Sequence, residues 1–292
     1  MNKLGIHALV WAGDLTPDSA RKVISSTKDA GFDLVELSLH DPSTVDAKLT
    51  RALLEENGLQ VACSRGLAFN ADVSSEDPAV VARGVGLLQE AVSITQALGG
   101  SYFGGVPYSA LGKYNRPVTP AGRRNVVESL RQLADFAKER GVTIGIEVVN
   151  RYESNVINTA QQALKLIDDV GADNLVVHLD TYHMNIEEVD FVQPVLQCAD
   201  RLGYVHIGES HRGYLGSGTI DFTSFFHALA SIGYRGPVTF ESFSSAVVAQ
   251  GLSNDLAVWR NLWGDGMDLA RHAHGFIAAQ MKAAAMGAAV AA

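Results

Sequence analysis

The sequence predicts a single-domain (β/α)8 TIM barrel, and three observations carry that prediction. Eight short runs rich in β-branched and aromatic residues alternate with longer segments of helical period. Glycine recurs just beyond those helical segments, where a left-handed residue ends a helix. No linker-like stretch divides the 292 residues, a length close to the roughly 250 of a barrel of this class. Strict alternation implies a parallel sheet; an open doubly wound sheet is the alternative, and eight regular units favour closure.

The strand candidates follow in order: LGIHALVW from Leu4, LVELSL from Leu34, LQVACS from Leu59 and SYFGGV from Ser101. VTIGIEVV from Val142, LVVHLD from Leu175, YVHIGE from Tyr204 and PVTFES from Pro237 complete the set. Gly31, Gly58, Gly99, Gly141, Gly171, Gly203 and Gly233 mark helix stops. Thr16-Pro17 and Thr119-Pro120 read as helix starts, an N-cap followed by proline at the first helical position. The barrel is expected over about 1–265 and a C-terminal helix over about 266–292, with the alanine-rich end from Ala278 a fraying surface helix. Neither GxGxxG after the first strand nor GxxxxGK[ST] occurs, and GYLGSG (213–218) reads as a flexible loop.

Composition narrows the function. A net charge of −9 opposes binding to nucleic acid, which calls for basic faces. No segment has the apolar length to cross a bilayer, and the N-terminal run lacks the cleavage site of a signal peptide. Two cysteines, Cys63 and Cys198, fit a reducing compartment, so a cytoplasmic protein is expected.

Side chains alternate faces along a strand, which splits the late strands into two sets. Ile144, Ile146 and Val148, then Val177 and Leu179, Val205 and Ile207, Val238 and Phe240 form an apolar set suited to the helices. The opposite set lines the interior and ends in Glu147, Asp180, His206 and Glu241, four titratable residues from four consecutive strands at the mouth where barrel enzymes place their sites. A lone Glu or His at a strand end is ordinarily a solvated or capping residue. Three carboxylates crowded together repel each other, and a divalent cation resolves the conflict. Three oxygen donors and one imidazole suit Mn²⁺, Co²⁺ or Mg²⁺ better than a thiolate-selected metal, and Mn²⁺ is the ion expected. His178 shares the interior face one pleat deeper and is expected to be a hydrogen-bonded supporting histidine.

GIEVVNRYE, HLDTYHMNIEE, VHIGESHRGYLGSGTIDF and VTFESF resemble the ketose 3-epimerases, the D-tagatose/D-allulose/L-ribulose 3-epimerase group of the xylose-isomerase-like barrels. The resemblance runs from GIHALVW to WRNLW and is densest from Gly145 to Ser245. It implies a metal-dependent isomerase that epimerises free ketoses at C3 through a cis-enediolate. Glu147, Asp180, His206 and Glu241 would hold one cation per subunit, with Glu147 and Glu241 also serving as acid/base pair. Glu153, His183 and Arg212 fall where the family binds the reacting end of the sugar, Glu153 anchoring a hydroxyl and His183, in the loop after the sixth strand, donating to the oxygen that gains charge. His7, Trp11, Cys63 and Gly105 fall at the distal pocket, and a homodimer or homotetramer is implied. Competing readings are an aldose–ketose isomerase or inosose-dehydratase-like enzyme on the same barrel, a metal-dependent nuclease, and a sugar-binding protein without catalysis.

Overall fold

The structure, a computed structural model, describes residues 2–248 and 250–291. Eight parallel strands close into a barrel in chain order: β1 (Leu4–His7), β2 (Leu34–Ser38), β3 (Gln60–Leu67), β4 (Tyr102–Ala110), β5 (Thr143–Glu147), β6 (Leu175–Asp180), β7 (Leu202–Ile207) and β8 (Val238–Phe240). Closure comes from β1 pairing with β8, Leu4 opposite Val238 and Ile6 opposite Phe240. The helices are α1 (Pro17–Asp29), α2 (Ala47–Asn57), α3 (Pro78–Ala97), α4 (Pro120–Lys138), α5 (Ala160–Val170), α6 (Thr181–Glu187), α7 (Gln193–Cys198), α8 (Phe222–Ser231), α9 (Gln250–Asp255) and α10 (Gly266–Ala291). Among the described residues no helix is long and apolar enough to cross a membrane.

Helix boundaries follow the local chemistry. Thr159 caps α5 through a reciprocal bond with Gln162, and Ala163, Leu166, Ile167 and Val170 bury one face at a spacing of three and four. Thr119 accepts from Gly122 N at 3.0 Å to start α4, whereas the Thr16 hydroxyl donates to Asp14 instead of capping α1. Six of the glycines read as helix stops have positive φ, Gly58 (φ 63) and Gly171 (φ 75) among them. Gly203 does not. It lies inside β7, where an added Cβ would meet the Val176 side chain at 2.4 Å, so close strand approach and not a turn requires glycine there.

The apolar faces of β5 to β8 pack against the helices as the alternation predicts, with Ile144, Ile146, Val177, Leu179, Val205, Ile207 and Phe240 fully buried. The barrel interior is filled in layers. At its floor Tyr102 stacks on Tyr204 with ring centroids 4.3 Å apart, beside Leu34 and Ala62. These two rings leave no room for a side chain on β5: a Cβ on Gly145 would sit 1.8 Å from the Tyr102 oxygen. Above this apolar floor the interior turns polar.

Candidate active site

The polar layers begin with Glu36 of β2, His178 of β6 and His206 of β7, and end at the mouth with Glu147, Asp180 and Glu241. All six are buried. One ligand atom from each of Glu147, Asp180, His206 and Glu241 lies within 4.8 Å of the others. The side chains that the strand alternation selected therefore converge on one point. Three carboxylate oxygens and an imidazole nitrogen make a donor set for a hard or borderline divalent cation. That donor set fits the chain's geometry, because His206 is already oriented for it. Its Nε2 is bound to Glu36 Oε2 at 2.7 Å, which turns Nδ1 toward Glu147 (3.3 Å) and Glu241 (3.4 Å).

The electrostatics show how strained this cluster of charge is. Burial pushes Asp180 up to about 8 and raises Glu147, against the pull of His206. Glu241 is held below the usual carboxylate range, since the His206 and Arg212 charges outweigh its burial. Burial alone would discharge His206, but Glu36 and Glu241 hold it well above an ordinary histidine.

Arg212 and His183 complete the mouth. The Arg212 guanidinium donates to Asp180 Oδ2 at 3.2 Å and to Glu241. It lies over the Tyr182 ring at 3.8 Å and near Phe243 at 4.8 Å. Its backbone is left-handed (φ 63), a conformation a non-glycine residue adopts only when its surroundings enforce it. Its N–H donates to the Glu209 carbonyl at 2.8 Å and its carbonyl accepts from the Ser242 hydroxyl, while the fully buried Glu209 carboxylate accepts from Ser210 N at 2.8 Å and Gly216 N at 2.9 Å. From outside, Tyr214 bonds Asp268 at 2.6 Å and the Leu215 carbonyl meets His272 at 2.9 Å, both on α10. The segment 213–218, expected to be a flexible loop, is thus fastened from both sides.

His183 lies in α6, the short helix that follows β6, and not in a loop; Asp180 starts that helix by accepting from Tyr182 N at 2.7 Å. The His183 Nδ1 accepts from Asn150 N at 3.1 Å, which leaves the proton on Nε2. That nitrogen points at Asp180 (3.6 Å), Glu147 (3.8 Å) and Glu153 (3.9 Å). Burial and the Arg212 charge keep the ring neutral, so it is poised as a donor. Glu153 is pushed up to about 7 by burial and is held by Asn150 Nδ2 at 2.9 Å.

The distal residues divide. His7 and Gly105 line the pocket. Cys63 and Trp11 do not. Cys63 is on the outward face of β3 in the helix-facing core, and the inward neighbour Ser64 takes the place in the pocket, its hydroxyl 3.5 Å from His7 Nε2. Trp11 follows a 3₁₀ turn (Ala8–Val10) that swings it away, and its indole donates to Thr27 of α1 at 3.1 Å. His178 is not the hydrogen-bonded histidine expected. Neither ring nitrogen has a hydrogen-bond partner among the described residues, and the ring packs edge-on to His206 with centroids 4.1 Å apart. It also forms a tight set with Glu147 and His206.

Two residues were not anticipated. Glu36 is the orienting partner of His206, and applying the strand alternation to LVELS would have placed it on the interior face. Tyr108 donates to the Glu147 backbone carbonyl at 2.5 Å and fixes the end of β5; no sequence pattern marks it.

A closed barrel carrying a convergent acid–imidazole cluster at its C-terminal mouth is the architecture of a TIM-barrel enzyme. The sequence profile of the xylose isomerase-like TIM barrel matches residues 24–272. The chain is 54% identical to an L-ribulose 3-epimerase of Methylomonas sp. (strain DH-1), over 94% of this chain and 96% of that protein. It is 52% identical to a ketose 3-epimerase of Arthrobacter globiformis, over 94% and 95% of the two chains. A crystal structure of D-allulose 3-epimerase from Methylomonas sp. in complex with D-allulose superposes with a TM-score of 0.94 at 52% identity, covering 96% of this chain and 97% of that one. The chain belongs to the xylose isomerase-like TIM-barrel family and, within it, to the ketose 3-epimerases, which are isomerases.

Proposed function

We propose that the protein interconverts free ketoses with their C3 epimers, acting on pairs such as D-allulose/D-fructose, D-tagatose/D-sorbose or L-ribulose/L-xylulose. The observation that carries this reading is the placement of Glu147 and Glu241. Glu147 ends β5 and Glu241 directly follows β8, on either side of the strands that bear Asp180 and His206, and both reach the same imidazole nitrogen. Inverting a carbon centre calls for one proton-transferring group on each face.

Glu147, Asp180, His206 and Glu241 would hold one divalent cation, Mn²⁺ before Co²⁺ or Mg²⁺, which supplies Lewis-acid polarisation of the ketose oxygens and so acidifies the C3 hydrogen. One glutamate then removes that proton and the other returns one to the opposite face, giving a cis-enediolate between the two steps. His183 Nε2–H donates to the oxygen on which charge develops. Arg212 orients the O1–O2 end and offsets the carboxylates around it. Glu153, mostly protonated below pH 7, binds a hydroxyl beside His183. We further propose a cytoplasmic homodimer or homotetramer that binds neither nucleic acid nor membrane; the charge of −9 supports the former exclusion.

Incubating D-allulose or L-ribulose with the Mn²⁺-loaded protein and separating the products tests the reading. D-fructose or L-xylulose is expected. Aldose in place of the C3 epimer would move the protein to the aldose–ketose isomerases, which share the first proton abstraction.

A further inference from the structure

The proposed chemistry leaves His178 unused, although its ring is fully buried beside the cation ligands. Neither ring nitrogen has a hydrogen-bond partner among the described residues, whereas buried polar groups are normally paired. A neutral imidazole with both nitrogens uncommitted can carry its proton on one and present a lone pair from the other.

The sheet register sets where that lone pair is available. Glu147 stands directly opposite His178 in the β5–β6 ladder, while Asp180 stands opposite His206 in the β6–β7 ladder. Glu147 is therefore level with the pleat below Asp180, and it belongs to two sets. One is the mouth set with Asp180, His206 and Glu241; the other, deeper, joins Glu147 to His178 and His206. In each set one ligand atom per residue lies within 4.8 Å of the others. The ring of His178 meets that of His206 edge-on, with centroids 4.1 Å apart.

The two sets differ in chemistry. Three carboxylates and one imidazole suit a hard cation, but two imidazoles and one carboxylate are a donor set of zinc sites. His206 has Nδ1 to offer in either position, because Nε2 is bound to Glu36 at 2.7 Å. A carboxylate behind a ligating histidine is also the usual support for zinc. Glu147 and His206 cannot serve both positions at once, so the two fill alternately.

We infer that Glu147, His178 and His206 form a second cation position that takes Zn²⁺, and that zinc held there excludes the cation from the mouth. Zinc would then inhibit the protein by withdrawing Glu147 and His206 from the reacting centre. Zinc K-edge X-ray absorption on the metal-free wild type, loaded with equimolar Zn²⁺, should count two imidazole ligands. A single imidazole would put zinc among the mouth carboxylates and overturn the inference. Competitive titration of Zn²⁺ and Mn²⁺ into wild type and His178→Phe, with circular dichroism melts of each, reads the site by affinity. Loss of an outer partner alone costs about 10- to 100-fold in metal affinity, so losing a direct ligand should lower the zinc-to-manganese affinity ratio about 100-fold. An unchanged ratio in the folded variant would overturn the inference. If His178→Phe does not fold, His178→Leu replaces it, and the ligand count in wild type decides alone. Zn²⁺ added to the Mn²⁺-loaded wild type should release manganese one for one, seen as the free-ion EPR signal. Manganese retained beside bound zinc would overturn the inference as well. None of these readouts depends on turnover, so a failure to epimerise ketoses would sink the 3-epimerase reading and leave this inference standing.

Discussion

Substituting Glu36 by Gln tests how far the site depends on a residue that contacts neither cation nor sugar. Glu36 is fully buried and holds His206 Nε2 at 2.7 Å, while its other oxygen lacks a hydrogen-bond partner among the described residues and lies 3.8 Å from His7. The carboxylate fixes the tautomer that turns Nδ1 to the cluster and makes that nitrogen a stronger donor. Glutamine has the same shape and retains an acceptor, so the barrel should stay folded while the charge is lost. A charge-assisted hydrogen bond between buried groups contributes about 1.5–3 kcal/mol. At about 1.4 kcal/mol per decade, losing the charged part of it weakens Mn²⁺ binding by roughly 10- to 100-fold. Calorimetric titration of the metal-free protein with Mn²⁺, beside a thermal melt without metal, reads this directly. Wild-type affinity in a folded Glu36→Gln variant would refute the reasoning and reduce Glu36 to interior packing.

Three further outcomes follow from the structure. Glu147→Gln or Glu241→Gln should abolish exchange of the C3 hydrogen with D₂O, followed by NMR; near-full exchange in either variant would remove that residue from the proton transfer. Burial pushes Cys63 and Cys198 up to about 12, so both should resist thiol reagents at pH 8 in the native protein and react on unfolding. Because their folded values lie above the unfolded value near 8.5, the associated stability is complete below about pH 8.5 and is lost as pH rises toward 12, which alkaline melting curves will show.

The strands and the four mouth residues were legible because both depend on the two-residue period of a strand, which sequence displays directly. The same period exposes what was missed. Cys63 and Ser64 are adjacent, and a shift of one residue exchanges core for pocket. Glu36 obeys the alternation and needed only its application to β2. Trp11 was beyond its reach, because it follows a 3₁₀ turn that arises from tertiary packing. The reading of 213–218 as flexible failed for a related reason: the glycine content is visible, but the buried carboxylate and the distant helix that fasten it are not.

The closure of the ring by β1 and β8 also orders events during synthesis. Every member of the Glu147, Asp180, His206, Glu241 cluster lies in the second half of the chain, and the last of them directly follows the three-residue strand that seats against β1. A nascent chain of 146 residues carries no member of that cluster, so a cation can neither template the first four strands nor rescue a misfolded half-barrel. The full set of four donors assembles only once the two ends of the barrel meet. A cation held by all four, as proposed, would act as a latch on a completed ring.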